Sequence, residues 1–445
     1  MPRPPKSILV PALCAGTFLG LSAGLARAAE PAPTPPPANW WDTFTIGGTV
    51  EAGVTLNGAN PGDGLNFGHL FTDKANTPVL NQILVTAQRP LDPKATDYDF
   101  GFKVQLMYGS DARYTHFLGE GDYFINELNQ FDVVEAWATA HLPWLFAGGI
   151  DIKAGQYVTL EGAEVIDPTG DYLYSHSYIF NFGIPFKHTG IMTVSHVDPL
   201  VDIYAGVDTG VNTTFGSRGD NNNAAAFHGG IGLNLLDGNL TILATTHIGP
   251  EIANTNGTNN TIDNITACGC NPNSALRYLN DITATWKIND SWSLITDANY
   301  IRDDGFKAEG YGIAQYAIYT VNDWLKLVGR VEVWRDNNNF FVAAFPGNFD
   351  FVNAEHGFLN TAVFAPAPTT YFEITGGLNL SPALPPGTPW LKSITFRPEV
   401  RYDTSLNSTT PFDGVNVPGG RGFPGFGAGA KSSQFTFGGD LIAKF

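Results

Sequence analysis

Cysteine, methionine and positive charge are all scarce in this chain. Of its 445 residues three are Cys and three are Met, and 24 Lys and Arg stand against 42 Asp and Glu. A formal net charge of −18 argues against nucleic acid as a partner, which needs a basic footprint. No C-x-x-C-H run occurs, so covalently attached c-type haem is excluded. The nine His are scattered with no H-E-x-x-H spacing, and no Ser lies in G-x-S-x-G. The common protease and hydrolase motifs are thus missing, and no catalytic residue, metal or cofactor is expected. A barrel enzyme whose site is assembled between distant strands would leave no such mark and stays a separate class of function. Cys268-Gly269-Cys270 reads as a strained small-ring disulfide or as a pair without a role, since a metal site would need further ligands nearby. Beyond residue 28 no run of about eighteen apolar residues appears, so no transmembrane helix is implied.

Charged residues make up only 15% of the chain, against about a quarter in soluble domains. Gly at 50 and Phe at 31 are abundant instead, and the mean hydropathy is close to zero. Apolar and polar residues that balance without long apolar runs suit a wall with lipid on one face and water on the other. The length allows two or three globular domains or one large barrel, because a barrel grows by adding strands.

Residues 1–28 read as a cleaved signal peptide. Arg3 and Lys6 precede the apolar stretch 8–25, and Ala26-Arg27-Ala28 is an A-x-A cleavage site. Cys14 follows Leu13 rather than a small residue, so no lipid anchor is expected. Losing this leader leaves 21 basic residues against 42 acidic ones. That excess reads equally as a solubilising surface or as a field favouring cations at a pore mouth. Residues 29–42 are a linker, in which the Pro-rich stretch 31–38 is a stiff extended spacer.

From residue 43 apolar and polar residues alternate. Phe44, Ile46, Val50, Ala52, Val54 and Leu56 share one face, and Thr45, Thr49, Glu51 and Thr55 the other. Ile394, Phe396, Val400 and Tyr402 oppose Arg397, Glu399, Arg401 and Asp403 in the same way. Charges at alternate positions inside a strand are costly in a soluble core but can face a water-filled interior. About sixteen such stretches occur, each near the ~9–11 residues of a tilted membrane strand. They are placed at 43–56, 79–89, 97–110, 131–142, 149–157, 188–198, 201–210, 226–236, 239–249, 276–288, 291–302, 309–321, 323–336, 369–381, 391–404 and 432–445. The sixth, the twelfth and part of the second alternate poorly, which leaves their facing open.

The connections alternate in length. Long ones at 57–78, 111–130, 158–187, 211–225, 250–275, 337–368 and 405–431 alternate with short ones, such as 143–148, 199–200, 237–238 and 289–290, except that 303–308, in the place of a long one, is only modest. Short periplasmic turns alternating with long external loops mark an up-and-down outer-membrane barrel. The fold class expected is therefore all-β, a transmembrane antiparallel up-and-down β-barrel over 43–445. Backbone groups in lipid must all be paired, so the first and last strands should pair with each other. Trp40, Trp41, Trp144, Trp292, Trp324 and Trp390 fit girdles at the membrane interfaces.

On the last strand Phe435, Phe437, Leu441 and Phe445 share a face opposite Thr436, Asp440 and Lys444, with Ile442 out of step. Ending on an aromatic, this strand resembles the terminal strand of bacterial outer-membrane barrels. The resemblance gives Phe445 a part in recognition by the barrel assembly machinery. A second resemblance lies in 149–190. Lys153, Gly155 and Tyr157, then Glu164-Val165-Ile166-Asp167, then Tyr174-Ser175 with Ser177-Tyr178, then Ile184-Pro185-Phe186 before His188-Thr189-Gly190 are similar to the OmpL-like β-barrel porin family. The Arg-rich strand 329–336 also looks familial. The family implies a pore-forming barrel in the cell outer membrane, among outer-membrane lipid and lipopolysaccharide, with no substrate inherited. Oligomeric state stays open, a homotrimer among the options.

Independently of the family, the loop 158–187 is the constriction candidate. It is long, yet stiffened by Pro168, Pro185 and many aromatics, and such a loop is more often folded and functional than slack. Folded inward, it would present Glu161, Glu164, Asp167 and Asp171. In a ring of sixteen, the wall opposite strands five and six carries Arg330 and Glu332, with Arg397, Glu399 and Arg401 two strands further. Acid facing guanidinium would set a transverse field that orders small polar solutes. The plainer reading has the acids capping turns and the arginines neutralising neighbours such as Glu332 and Glu399. The function expected is passive diffusion of small hydrophilic solutes and ions. The alternative is a substrate-selective, carbohydrate-type channel in which Tyr157, Tyr172, Trp137 and Trp334 line a sugar path. The tips 220–223, 302–305 and 336–339 read as solvated turns or as Ca²⁺ or lipopolysaccharide bridges. The Gly-rich stretch 425–432 leads into a strand, so it is not a phosphate-binding loop.

Overall fold

The computed structural model describes residues 40–445 apart from 93–94, 118–119, 121–127, 216–221, 223, 253–269, 339, 343–367, 386 and 415–428. The leader, most of the linker, Cys268 and part of the Gly-rich stretch therefore lie outside the described residues. In chain order the strands begin β1 (Thr45–Asn57), β2 (Val79–Arg89), β3 (Asp99–Gly109), β4 (Gln130–Leu142), β5 (Ile150–Val158) and β6 (Lys187–Asp198). They continue β7 (Val201–Asp208), β8 (Ala226–Leu235), β9 (Leu240–Pro250), β10 (Leu276–Lys287), β11 (Trp292–Asp303) and β12 (Ala308–Asn322). The last are β13 (Leu325–Asp336), β14 (Thr369–Leu380), β15 (Ser393–Ser405), the short β16 (Phe412–Gly414) and β17 (Gly429–Lys431), and β18 (Ser433–Lys444).

Among the described residues β16 and β17 pair only with each other, and the sixteen long strands close into one antiparallel barrel. Each pairs with its neighbour along the chain, and β18 closes the ring between β15 and β1. That seam runs from Thr49↔Lys444 to Asn57↔Thr436, and at its rim Gly48 and Phe445 exchange N–H···O bonds of 2.7 and 2.9 Å. A ring closed this way presents no unpaired strand edge to hydrocarbon.

Alternation along the sequence becomes inside and outside. On β18 Phe435, Phe437 and Leu441 are 49–56% exposed, whereas Gln434, Thr436, Asp440 and Ile442 are buried. The out-of-step Ile442 thus points inward. On β7 Asp202, Tyr204 and Asp208 are buried between the exposed Ile203 and Val207. Apolar side chains outside and charges inside invert the pattern of a soluble protein. Trp41, Trp144, Trp292, Trp324 and Trp390 are exposed at the short-turn rim, beside Leu145, Phe146 and Leu200.

β12 shows why its periodicity was blurred. Its outward face carries the exposed Tyr311 and Ile313, and its inward face buries Ala314, Tyr316 and Ile318 in the apolar cluster inside the barrel. A strand greasy on both faces has no polar beat to read. β6 buries Met192 and Val194 inward for the same reason.

Candidate functional site

The connection between β5 and β6 is tied to the barrel wall along its length. At its neck Thr159 N donates to Phe186 O at 3.0 Å, extending the strand pairing by one step. Beyond the neck the wall supplies carboxylates to the segment's amides. Asp281 on β10 accepts from Gly162 N at 3.1 Å, and Asp297 on β11 from Ala163 N at 2.9 Å. Glu332 on β13 takes both Tyr178 N (2.6 Å) and Ile179 N (2.8 Å). Glu399 on β15 takes Tyr174 N (2.9 Å) and Ser175 N (3.1 Å). Hydrogen bonds from backbone N–H to an ionised acceptor are among the stronger ones in proteins.

The wall arginines take the carbonyls. Arg330 Nη1 donates to Ser175 O at 2.7 Å, Arg401 Nη1 to His176 O at 2.5 Å, and Arg397 Nη1 to Pro168 O (3.1 Å) and Asp171 O (2.8 Å). All three guanidinium groups are buried and neutralised. Arg330 pairs with Glu164 (2.7 Å) and Glu373 (2.5 Å), Arg397 with Asp440 (2.5 Å) and Glu51 (3.1 Å), and Arg401 with Asp403 (2.8 Å). Glu332 and Glu399, expected as neutralising partners, serve the segment's amides instead. Glu164 and Arg330 meet in contact, with no open gap between them.

Of the segment's acids, Asp167 and Asp171 hold its own shape, and Asp167 also meets the wall by accepting from Gln105 Nε2 on β3 at 3.3 Å. Asp167 caps the 3-10 turn Pro168–Gly170 through Thr169 N (3.0 Å) and the Thr169 hydroxyl (2.8 Å). Asp171 Oδ1 accepts from Val165 N at 3.0 Å. Glu164 also receives Ser177 N (2.9 Å), the Tyr316 hydroxyl (2.9 Å) and His176 Nδ1 (3.0 Å). Glu161 is buried with both carboxylate oxygens lacking a hydrogen-bond partner among the described residues, and burial pushes its carboxyl up to about 8. A short π-helical turn, Ile179–Gly183, places Phe180 and Phe182 in the apolar cluster with Phe71, Phe186 and Trp334.

Two wall glycines make room for the segment. A Cβ on Gly53 would lie 2.5 Å from the Tyr174 ring, and one on Gly377 would lie 2.7 Å from Leu173 Cδ2. With the Cβ missing, Tyr174 reaches past β1 to donate its hydroxyl to Asn81 Oδ1 on β2 at 3.1 Å.

The four aromatics named for a sugar path fall into two groups. Trp137 and Tyr157 pack with Met192 and Tyr204, under Lys153 Nζ at 4.8 and 5.9 Å from their ring centroids. Trp334 is fully buried in the other cluster, against which Tyr172 packs. Of the acidic tips, Asp336 is buried and accepts from Phe340 N (2.9 Å) and Val342 N (3.0 Å), so it orders its own loop. Cys270 is disulfide-bonded. Sequence reasoning missed Asp281, Asp297, Glu373 and Asp440 as parts of this network. Their inward register positions were the available signal.

The sequence model of the family described as "Putative beta-barrel porin-2, OmpL-like" matches residues 43–445. The chain belongs to this family. No curated protein sequence matches it significantly. Among solved structures it is similar to the outer membrane channel DcaP of Acinetobacter baumannii, with 12% identity, a TM-score of 0.51, and 90% of this chain and 96% of that chain covered. Pseudomonas putida OprB gives 13% identity and a TM-score of 0.52 over 91% of this chain and 94% of that one. An anion-selective porin from Comamonas acidovorans gives 10% and 0.51 over 90% and 99%. At these identities the likeness is one of fold. Family membership places this β-barrel porin relative among porin-like outer-membrane channels.

Proposed function

We propose that the protein is a passive outer-membrane channel for small hydrophilic solutes and ions, narrowed by the segment 158–187 folded inside the barrel. One observation carries the constriction. The segment bonds to Asn81 on β2, Asp281 on β10, Asp297 on β11, Glu332 on β13 and Glu399 on β15. A segment outside a closed ring cannot touch strands on all its sides. The charged lining is the second support, because inward Asp, Glu and Arg suit a wet path and not an apolar one. The acidic excess of the whole chain, 42 Asp and Glu against 24 Lys and Arg, favours cations over anions. The aromatics' division into two groups gives the carbohydrate-type alternative no continuous stacking surface. Export by a cleaved signal peptide, assembly through Phe445, and contact with lipid and lipopolysaccharide belong to the same reading, which is compatible with a monomer or a homotrimer.

Planar-bilayer recording under a KCl gradient tests it. Discrete conductance steps with a reversal potential of the sign for K⁺ preference are expected. A folded barrel that never conducts would refute the channel, and a Cl⁻ preference would refute the charge argument. Liposome swelling with graded sugars separates the alternative: a smooth fall with solute size marks a general pore, and one favoured sugar a selective one.

A further inference from the structure

Far around the ring from the arginines, four consecutive strands bring three imidazoles and a carboxylate together. His188 is the second residue of β6, Asp208 ends β7, His228 lies in β8 and His247 in β9. Antiparallel register sets His228 directly opposite His247, and both lie on the buried face. His188 comes off the neck of the segment 158–187, so all four side chains gather at the long-loop ends of their strands.

Asp208 is the hub. Its Oδ1 lies 2.9 Å from His247 Nε2, and its Oδ2 lies 3.4 Å from His188 Nδ1 and 3.9 Å from His228 Nδ1. The ring centroids of His188 stand 4.5 Å from His228 and 4.7 Å from His247. One donor atom each from His188, Asp208 and His247 falls within 4.8 Å of the others. Ligands on a tetrahedral ion with bonds of about 2.0–2.1 Å are separated by roughly 3.3 Å. The two closest contacts bracket that edge.

A second observation points to a missing ligand. Among the described residues, both ring nitrogens of His228, Nδ1 of His247 and Oδ2 of Asp208 have no hydrogen-bond partner, and these residues are at most 3% exposed. Native interiors rarely leave such atoms unpaired without an ion, a water or a function to account for them. His188 is also oriented as a metal ligand would be. Its Nε2 lies 3.2 Å from the Thr159 hydroxyl, and its Nδ1 lies 3.4 Å from Asp208 Oδ2 and 3.3 Å from Gly210 O, so a bound ion replaces the Nδ1 contact to that carbonyl.

We propose that His188, His247 and Asp208 bind one first-row divalent transition cation of the Zn²⁺ type, with His228 as the fourth ligand. Imidazole nitrogens with one carboxylate suit Zn²⁺, Co²⁺ and Ni²⁺ and disfavour Ca²⁺ and Mg²⁺, which take oxygen shells. Thr159 joins His188 to the neck of the segment, so the bound ion ties the root of that segment to β6–β9. The site is independent of whether the barrel conducts.

Full-length protein without a histidine tag, folded in detergent and stripped with EDTA, is titrated with Co²⁺. One equivalent per chain with the intense visible absorption of a tetrahedral site, displaced by Zn²⁺, is expected. His247→Gln and Asp208→Asn each weaken Co²⁺ binding by about tenfold or more, while migration of the unheated protein on SDS gels reports the closed barrel. No saturable binding, or only the weak bands of octahedral Co²⁺, overturns the proposal. Equal affinity in folded variants overturns it as well. Where the variants do not fold, the wild-type spectrum alone decides.

Discussion

Replacing Glu332 and Glu399 by Gln isolates the wall's hold on the segment 158–187. Each carboxylate takes two successive amides, at 2.6 and 2.8 Å for Glu332 and at 2.9 and 3.1 Å for Glu399. A hydrogen bond to a charged acceptor contributes about 1.5–3 kcal/mol, and a neutral one about 0.5–1.5 kcal/mol. Gln keeps one carbonyl and turns an NH₂ toward the other amide. One bond is therefore lost and the other loses its charge assistance. The combined cost is about 3 kcal/mol per clamp, close to a hundredfold in the equilibrium for local release at 1.4 kcal/mol per factor of ten. The two residues lie two strands apart and hold different amides, so their effects should nearly add. The ring's own pairing is untouched, so thermal unfolding of the barrel should change little. Single-channel recording should instead show rising open-channel noise in each single variant and a larger conductance in the double variant. Traces of a folded double variant that match the wild type would refute the clamp reasoning.

Arg330→Met leaves Glu164 and Glu373 buried without their shared guanidinium and should cost about 3–5 kcal/mol in denaturant melts; adding Glu164→Gln should recover part of it, and a neutral single variant would refute the pairing. Gly53→Val drives a side chain into Tyr174 and against Gly439 O at 2.9 Å, so it should raise channel noise, and Tyr174→Ala in the same background should relieve part of the strain. The Glu161 carboxyl, pushed by burial up to about 8 from a usual 4.5, binds a proton in the folded protein that the released segment gives up. Its contribution to docking is complete below about pH 4.5 and is lost as the pH rises through about 8. Open-channel noise should therefore grow between pH 5 and pH 8.5 more steeply in the wild type than in Glu161→Gln; equal pH profiles would remove Glu161 from the account.

The barrel was legible because two constraints act on every strand at once. Hydrocarbon demands an apolar outer face, and pairing in lipid demands closure. Phe435, Phe437 and Leu441 against Thr436 and Asp440 satisfy both, and all sixteen expected strands have counterparts within a few residues. Two of the three poorly alternating strands share one cause. The inward faces of β6 and β12 meet apolar side chains inside the barrel, not water, so Met192, Tyr316 and Ile318 erase the polar beat there. The histidine cluster was hidden for a different reason. His188, His228 and His247 are far apart in sequence and meet only through the register of β6–β9, whereas metal motifs are recognised from local spacing.

The acids of the segment 158–187 were a poor guide to its attachment because the wall grips mainly its backbone. Carboxylates of Asp281, Asp297, Glu332 and Glu399 receive amides, and Arg330, Arg397 and Arg401 donate to carbonyls. Every residue offers those groups, so the segment's side chains need not encode their partners. Glu164, Asp167, Tyr174 and Tyr178 are exceptions, since their side chains meet Arg330, Gln105, Asn81 and Asp403 on the wall. The information lies instead in the wall, where an Asp, Glu or Arg at an inward position of a strand marks a point that can hold chain. Substituting exposed side chains along the segment should therefore leave its docking intact, whereas removing one inward carboxylate should loosen it.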